Sequence, residues 1–513
     1  MSNTKVLSSV LLTAVLAGYS VERAYAQIGQ ASLQGVVRDN SGGVLPGASV
    51  SLKNKGTGAV RTVSTDATGQ YSIPNMDPAE YSVTVGFKGF KTSVISSVIL
   101  HTGDHATLDR DLELGDTTQE VTVDAAVPLL ATQSAEVSHL VPSSQVAELP
   151  LNGRNFWELT QLTPGATFIP RGQVAQYNGS EIRPRNVNVT VNGQGYIFTG
   201  WSLDGATVTN FELGGTLIVP NVDAIEEFNV LSGNMAPEYG HTPNMIVAAL
   251  KSGTNLFHGN LFEFLRNEKL DARNFFLAGR EPLKRNQAGG TLGGPLKKDK
   301  VFFFVDYQGT RLRQGTLFNY VVPSAAQRTG DFSAGAALKD PLNNYGPFPG
   351  NVIPTNRISP QAQWLLPYFP APNLVQGSTF RSSFSTNLAL GQNLGDIRID
   401  AHLTEKDTFM AHYSVSSNYE TNPNPFPAVP ASNLHSKAQS WTARWAHIFT
   451  PTLLNVVQAA FYDSPFIFGA IGPGMNVNGM AGIQGFDNPT VVPEQSWPTI
   501  AVSGSRCELA NKC

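Results

Sequence analysis

Between Gly395 and Asn418 the chain alternates with a period of two. Ile397, Ile399, Ala401 and Leu403 share one parity; Asp396, Arg398, Asp400 and His402 share the other. The turn-forming residues Thr404 to Asp407 follow. Phe409, Ala411, Tyr413 and Val415 then alternate with His412, Ser414 and Ser416, and only Met410 breaks the order. Successive strand side chains point to opposite faces, so the segment predicts a hairpin with one apolar and one polar face. Such an apolar face meets either a protein core or lipid, and periodicity alone is the same for both.

Similar patterns predict about eight strands over 256–266, 285–295, 300–311, 314–322, 394–403, 408–417, 438–449 and 453–463. Residues 323–392 are rich in Pro, Gly and Asn, with little periodicity. That length is unusual inside a compact soluble domain and ordinary for an external loop of a large barrel. Residues 27–115 read differently. "GVVRDNSGGVLPGASVSLKN" and "TDATGQYSIPNMDPAEYSVTVGFKGFK" are short strands separated by regular turn signals, which predicts a small β-sandwich. In "DTTQEVTVDAAVPLL" the core Glu120-Val121-Thr122-Val123 is short and extended. It is either linker or a strand that adds to another protein's sheet edge. Residues 128–255 are mixed. Short helices are expected between Asn152 and Thr163 and at Ala224–Glu227. A strand-turn is expected in "SLDGATVTN", and strands at Phe228–Leu231 and Met245–Lys251.

Composition narrows the choice. Charged residues make up 14% of the chain, against about 25% in an average soluble protein. Mean hydropathy is only −0.11, so uncharged polar residues fill the gap. The net charge is −4 with no basic block, which argues against nucleic acid as a partner. Lys5, an apolar run from Val6 to Gly18, and Ala24-Tyr25-Ala26 predict a secretory leader over residues 1–26, cleaved before Gln27. Later in the chain there is no apolar run of the ~18 residues a spanning helix needs. The mature protein is therefore either soluble outside the inner membrane or crosses a bilayer as strands. The two cysteines, Cys507 and Cys513, are close enough in sequence to pair in an oxidising compartment.

Candidate chemistry is sparse. His402-Leu403-Thr404-Glu405 has an H-x-x-E spacing, with His435 or His447 as a third zinc ligand. Against this, His402 lies on the polar face of a clean strand and Glu405 in its turn. His101 and His105 bracket a Gly-Asp turn. Gly289, Gly290, Gly293 and Gly294 have the density of a phosphate loop but lack its Lys-Ser/Thr ending. No nucleophile–base arrangement stands out, and the expectation is a protein that is not an enzyme and has no cofactor or metal.

Two resemblances follow from longer stretches. Residues 27–115 resemble the carboxypeptidase regulatory-like domain, a transthyretin-like β-sandwich. "PNVDAIEEFNVLSGNMAPEYG" through "VAALKSGTNLFHGNLFEFLRNEKLDARNFF" and "RNQAGGTLGGPLKKDKVFFFVDYQGTR" resemble TonB-dependent outer-membrane transporters of the Oar-like group. The resemblance implies a mainly β chain. A leader (1–26), a sandwich (27–115) and a TonB-box-like linker (116–127) precede a mixed α/β plug (128–255) and the first part of a transmembrane antiparallel barrel (256–513). Carried over residue by residue, Glu120, Val121, Thr122 and Val123 resemble the TonB box. Leu203-Asp204-Gly205 resembles the plug's Asp-Gly turn, and Glu238, Tyr239 and Gly240 the motif before its last strand. Lys251, Ser252, Gly253, Thr254 and Asn255 resemble the plug–barrel junction. Thr242-Pro243-Asn244 departs from the family's second glycine pair. The family's barrel has about 22 strands, so the resemblance implies a chain that stops in mid-barrel. The implied function is energy-coupled uptake of an unidentified external ligand at the outer membrane, with TonB and its inner-membrane complex as partners. The alternative is an exported surface β-protein that binds carbohydrate or protein.

Overall fold

A computed structural model describes residues 30–483, except 117–119, 124–136, 152, 169–188, 211–214, 217, 236–238, 240–241, 274–279, 378, 405, 424–428, 430, 451–452 and 469–476. The expected leader, Cys507 and Cys513 lie outside the described residues.

The first body is a two-sheet sandwich. One sheet has the order β4 (Gln70–Met76), β1 (Ala31–Asp39), β7 (His105–Thr107), with β8 (Arg110–Leu112) also on β1. The other runs β3 (Val60–Ser64), β2 (Ser49–Asn54), β5 (Ala79–Gly86), β6 (Thr92–Leu100), β9 (Glu120–Val123). Alternate residues of both sheets, among them Leu33, Val50, Leu52, Ile73, Val83 and Ile95, meet in one core. A Cβ on Gly35 would lie 2.1 Å from the Leu108 carbonyl oxygen, so only glycine lets β1 pass there. The buried Tyr71 hydroxyl donates to the same oxygen at 2.7 Å.

The second body, the plug, is built on a sheet of order β10 (Ser138–Val141), β15 (Ile225–Leu231), β16 (Asn244–Leu250), β13 (Thr199–Leu203), β14 (Ala206–Thr207). A small hairpin, β11 (Ala166–Phe168) with β12 (Val189–Val191), stands beside it. The helix expected after Asn152 is a 3-10 turn, Phe156–Leu162, started by Asn155 accepting from Trp157 N at 3.2 Å. It drives Phe156 and Trp157 into the core against Trp201 and Phe228; Trp157 meets Trp201 edge-on at 4.5 Å. The helix expected at Ala224–Glu227 is a correction: a single 3-10 turn spans Val222–Ala224, and the strand begins at Ile225. The β-branched Ile225 already pairs with Leu250, and tertiary pairing outweighs the weak helix preference of so short a run.

The third body is a nine-stranded antiparallel sheet. β17 (His258–Asn267), β18 (Leu283–Lys297), β19 (Val301–Val321), β23 (Thr379–His402), β24 (Asp407–Asn422), β25 (Ser432–Thr450) and β26 (Leu453–Asp463) follow one another as a meander. β22 (Leu374–Gln376) pairs with β23 and β27 (Phe466–Phe468) with β25. Two expectations change. The segments 300–311 and 314–322 are one continuous strand, β19. β23 begins at Thr379, inside the stretch read as loop, which shortens that connection to 322–378. This connection carries the pair β20 (Lys339–Asp340) and β21 (Gly346–Pro347) and short helices at Ala325–Arg328 and Pro360–Leu365. The opening hairpin is confirmed, with His402 opposite Thr408 and Ile399 opposite Ala411.

Connections at one end of this sheet are short, 298–300, 403–406 and 451–452, and those at the other are long, 268–282, 322–378 and 423–431. Outer-membrane barrels keep short turns on the periplasmic side and long loops outside.

Candidate functional site

The burial of the third sheet is inverted relative to a soluble protein. Along β23, β24 and β25 the polar parity is inside: Asp396, Arg398, Asp400, His412, Ser414, Asn418, Ser436, Ser440, Thr442 and Arg444 are all buried. The apolar parity faces out, with Ile397 48% and Trp441 53% exposed against 2% for Asp396 and 0% for Ser440. Water penalises such a wall and lipid favours it, because a bilayer solvates apolar side chains while the ladder between neighbouring strands satisfies the backbone.

The buried polar face is covered by the plug. Phe304 and Ala438 of the wall join the plug's hydrophobic core. Arg285 and Gln287 of β18 donate to the Gly153 carbonyl at 2.7 and 3.2 Å. Arg154 of the plug lies over the rings of Phe262 and Phe264 on β17, 4.3 and 4.4 Å from their centroids, and reaches Gln308 on β19 at 3.3 Å. Arg398 is the centre of this interface. It holds Asp400 through two hydrogen bonds of 2.9 and 3.0 Å. Its Nη1 donates to Asp204 Oδ1 at 3.1 Å and to the Leu250 carbonyl at 2.9 Å.

The Asp204-Gly205 turn therefore does two things. Both residues have positive φ, 48° and 82°, as a two-residue hairpin between β13 and β14 demands. The buried Asp204 carboxylate also accepts from Leu250 N at 3.1 Å, which locks the turn to the last plug strand and to the wall. Tyr239 is buried with Leu231, Met245 and Val247; Glu238 and Gly240 lie outside the described residues. Thr242 Oγ1 donates to the Tyr239 carbonyl at 3.3 Å, and Asn244 begins β16, so the departure at 242–244 leads directly into that strand.

Lys251 to Asn255 leave the plug and reach the wall. Lys251 N donates to the Ala224 carbonyl at 2.8 Å. A Cβ on Gly253 would lie 2.4 Å from the Phe303 oxygen and 2.6 Å from that of Gly294, so the chain crosses the wall's edge at glycine. Ser252 Oγ donates to the Gly253 carbonyl and Thr254 Oγ1 to that of Leu256, whose N–H donates back to Thr254 Oγ1 at 3.3 Å. Asn255 does more than join: its side chain donates to Asp299 Oδ1 at 2.8 Å and to the Thr57 carbonyl of the sandwich at 2.9 Å.

Residues 120–123, read as either linker or a strand for another protein's sheet edge, form a strand that lies parallel to β6 of the chain's own sandwich, Thr92 opposite Glu120 and Ile95 opposite Val123.

The histidines do not converge. His101 bonds Glu227 at 2.7 Å and His105 bonds Ser32 at 2.9 Å. His447 bonds Asp407 at 2.7 Å. His435 and His447 share strand β25, twelve positions and about 40 Å apart at ~3.4 Å per residue. Glu405 lies outside the described residues. The four glycines 289, 290, 293 and 294 all sit in ladder pairs of β18.

Sequence reading missed the sandwich contacts. Asp77 accepts from Arg444 at 2.6 Å, and Thr102 O accepts from Asn229 at 3.2 Å. These pairs are 367 and 127 residues apart, and no local pattern announces them. The nearest signal was Arg444, the lone charge on the polar face of β25, which needs a counter-charge.

A wall with a polar, plug-covered interior and an apolar exterior defines an outer-membrane barrel protein. Residues 249–512 match the outer membrane beta barrel domain family and residues 32–113 the carboxypeptidase regulatory-like domain. The first match covers more than half of the chain, and the chain belongs to that family; its place is the outer membrane. Over 264 residues the chain is 25% identical to the TonB-dependent transporter Oar of Myxococcus xanthus, a match covering 48% of this chain and 23% of that protein. The matched part thus spans about a quarter of that relative. Similar solved structures include the outer membrane transporter YddB from Escherichia coli, at 9% identity and TM-score 0.42 over 63% of this chain and 38% of that one. A ferric enterobactin receptor mutant of Pseudomonas aeruginosa gives 14% and 0.37 over 65% and 42%. The siderophore receptor PirA of Acinetobacter baumannii gives 13% and 0.33 over 64% and 48%.

Proposed function

We propose that this chain belongs to a TonB-coupled transporter that takes up an external ligand across the outer membrane. The observation that carries the reading is the plug pinned to the polar inner face of the wall through Asp204 and Arg398. A plug held to the wall by buried polar contacts and by the apolar contact of Phe304 and Ala438 blocks the lumen at rest and is released when those contacts are broken. The similarity to Oar supports the energy source. Residues 120–123 are the extended segment through which TonB acts, because strand addition requires free backbone donors and acceptors rather than particular side chains. The chain binds and moves its ligand without covalent chemistry, in keeping with its similarity to the TonB-dependent transporter Oar.

The test is a photo-crosslinking residue at position 121 in cells carrying the energising complex. An adduct with TonB supports the reading, and its absence, with the protein correctly in the membrane, contradicts it. Carbonate washing separates the alternative: a surface-associated binder is released, whereas a lipid-facing wall stays in the pellet.

A further inference from the structure

Strand β9 is the outermost strand of the larger sandwich sheet. One of its edges is used by β6. Among the described residues no strand pairs with the other, and an open strand edge is a template for one more strand. A partner that adds a strand to residues 120–123 can therefore extend the sandwich's own sheet, without first stripping β9 from β6. Its pull then falls on the sandwich as a body.

The sandwich sits at the short-turn end of the wall and is tied there at three places. Asp77, in the turn between β4 and β5, pairs with Arg444 at 2.6 Å and lies 3.8 Å from Arg398. His101, between β6 and β7, pairs with Glu227 on plug strand β15 at 2.7 Å, and Thr102 N also donates to that carboxylate. The turn after β2 meets the plug–wall junction: Asn255 N donates to the Gly56 carbonyl at 3.0 Å and its side chain to that of Thr57. Every one of these ties is polar. The sandwich core and the plug core are separate clusters with no shared apolar residue. Polar ties exchange readily with water once strained, whereas the Trp157–Trp201–Phe228 core of the plug exposes apolar surface when opened.

We propose that residues 120–123 present the open edge of the sandwich sheet to a strand of TonB, and that the pull lifts the sandwich off the plug and the inner mouth before the plug itself yields. The inference rests on the reading of 120–123 given above. It makes the sandwich a cap whose removal is the first mechanical step.

A disulfide reads the docked state. A Cβ built on Gly56 lies 3.8 Å from Thr254 Cβ, within the range of about 3.5–4.5 Å for bonded cysteines. Gly56→Cys and Thr254→Cys are introduced together in a chain with Cys507→Ser and Cys513→Ser, and cells are treated with a mild oxidant. The expected result is a high yield of the 56–254 disulfide when a protonophore collapses the gradient, and a several-fold lower yield in energised cells. Adding Val121→Pro restores the high yield in energised cells. Three results overturn the proposal. The disulfide fails to form without energy, so the sandwich is not docked. The yield is equal with and without energy while the position-121 adduct still forms, so TonB engages but the cap does not lift; loss of that adduct instead removes the underlying reading of residues 120–123. Or energised cells lose the disulfide even with Val121→Pro, so 120–123 is not the handle.

Discussion

In strand β1 of the sandwich Ala31, Leu33 and Val37 are buried, while Ser32, Gln34 and Arg38 lie on the side toward water. In strand β23 of the wall Asp396, Arg398 and Asp400 are buried, and Ile397 and Ile399 face out. Both strands alternate cleanly, although β23 sits in an antiparallel sheet and β1 in a mixed one, antiparallel to β4 and parallel to β7 and β8. The alternation specifies a strand and its two faces; what covers each face is decided by the surrounding medium and by the other bodies of the chain. The sandwich hides its apolar half from water. The wall gives that half to lipid and hides its polar half behind a plug, where each charge needs a named partner.

The sharpest way to break this comparison is to remove a partner on the wall's buried side. Arg398→Ala leaves Asp204 and Asp400 facing each other without their cation, and breaking a buried pair in this way costs about 3–5 kcal/mol. The expected outcome is a barrel whose plug becomes protease-sensitive and melts at lower temperature; unchanged proteolysis would mean the Asp204 tie does not hold the plug. Slightly smaller is the effect of cutting an apolar side chain where it is buried. Leu52→Ala in the sandwich costs about 2–5 kcal/mol of that body's stability. The comparable cut on the wall, Ile397→Ala, changes thermal stability by about 0.5 kcal/mol or less. Equal losses would erase the distinction between the two regions. Next comes charge on the lipid side: Ile399→Arg costs about 2–4 kcal/mol near the bilayer midplane and less toward the interfaces, read as a lower folded fraction in lipid vesicles.

The smallest effect concerns the joint between the two kinds of region. The His101 imidazole beside Glu227 is held above its ordinary value, chiefly by the hydrogen bond to that carboxylate and further by the charges of Glu227 and Asp104, against the opposing effect of burial. A raised histidine contributes fully below its unfolded value near 6.5 and loses the contribution as pH rises through the folded value. The sandwich therefore docks more firmly at mildly acid pH, and hydrogen exchange in the 101–104 turn speeds up as pH rises beyond the trend of neighbouring turns. His101→Gln removes that extra dependence.

Much of this was legible from residues. The hairpin 395–418, the two-residue Asp204-Gly205 turn and the sandwich pattern all rest on local periodicity or turn chemistry, and all are found. The two errors in the wall's strands share a physical cause. β19 and β23 extend past the membrane zone, where neither face needs to be apolar. Arg311, Arg313 and Gln314 interrupt the alternation without interrupting the ladder, and the Ser/Thr/Asn-rich start of β23 reads as loop while pairing residue for residue with β19. The ties of Asp77 to Arg444 and of His101 to Glu227 were not legible at all. They join bodies folded from distant parts of the chain, and a charged residue in a turn looks the same whether it meets water or an arginine.

The central claim is that the apolar parity of the wall faces lipid. Single cysteines at 397, 399, 409, 411 and 413, each carrying a nitroxide, test it in the membrane-folded protein. Lipid-facing positions are accessible to oxygen and shielded from a water-soluble nickel reagent, and this is the result predicted for all five, while labels at 396 and 414 are shielded from both. Shielding of the five odd positions from both reagents would place that face against protein and contradict the account.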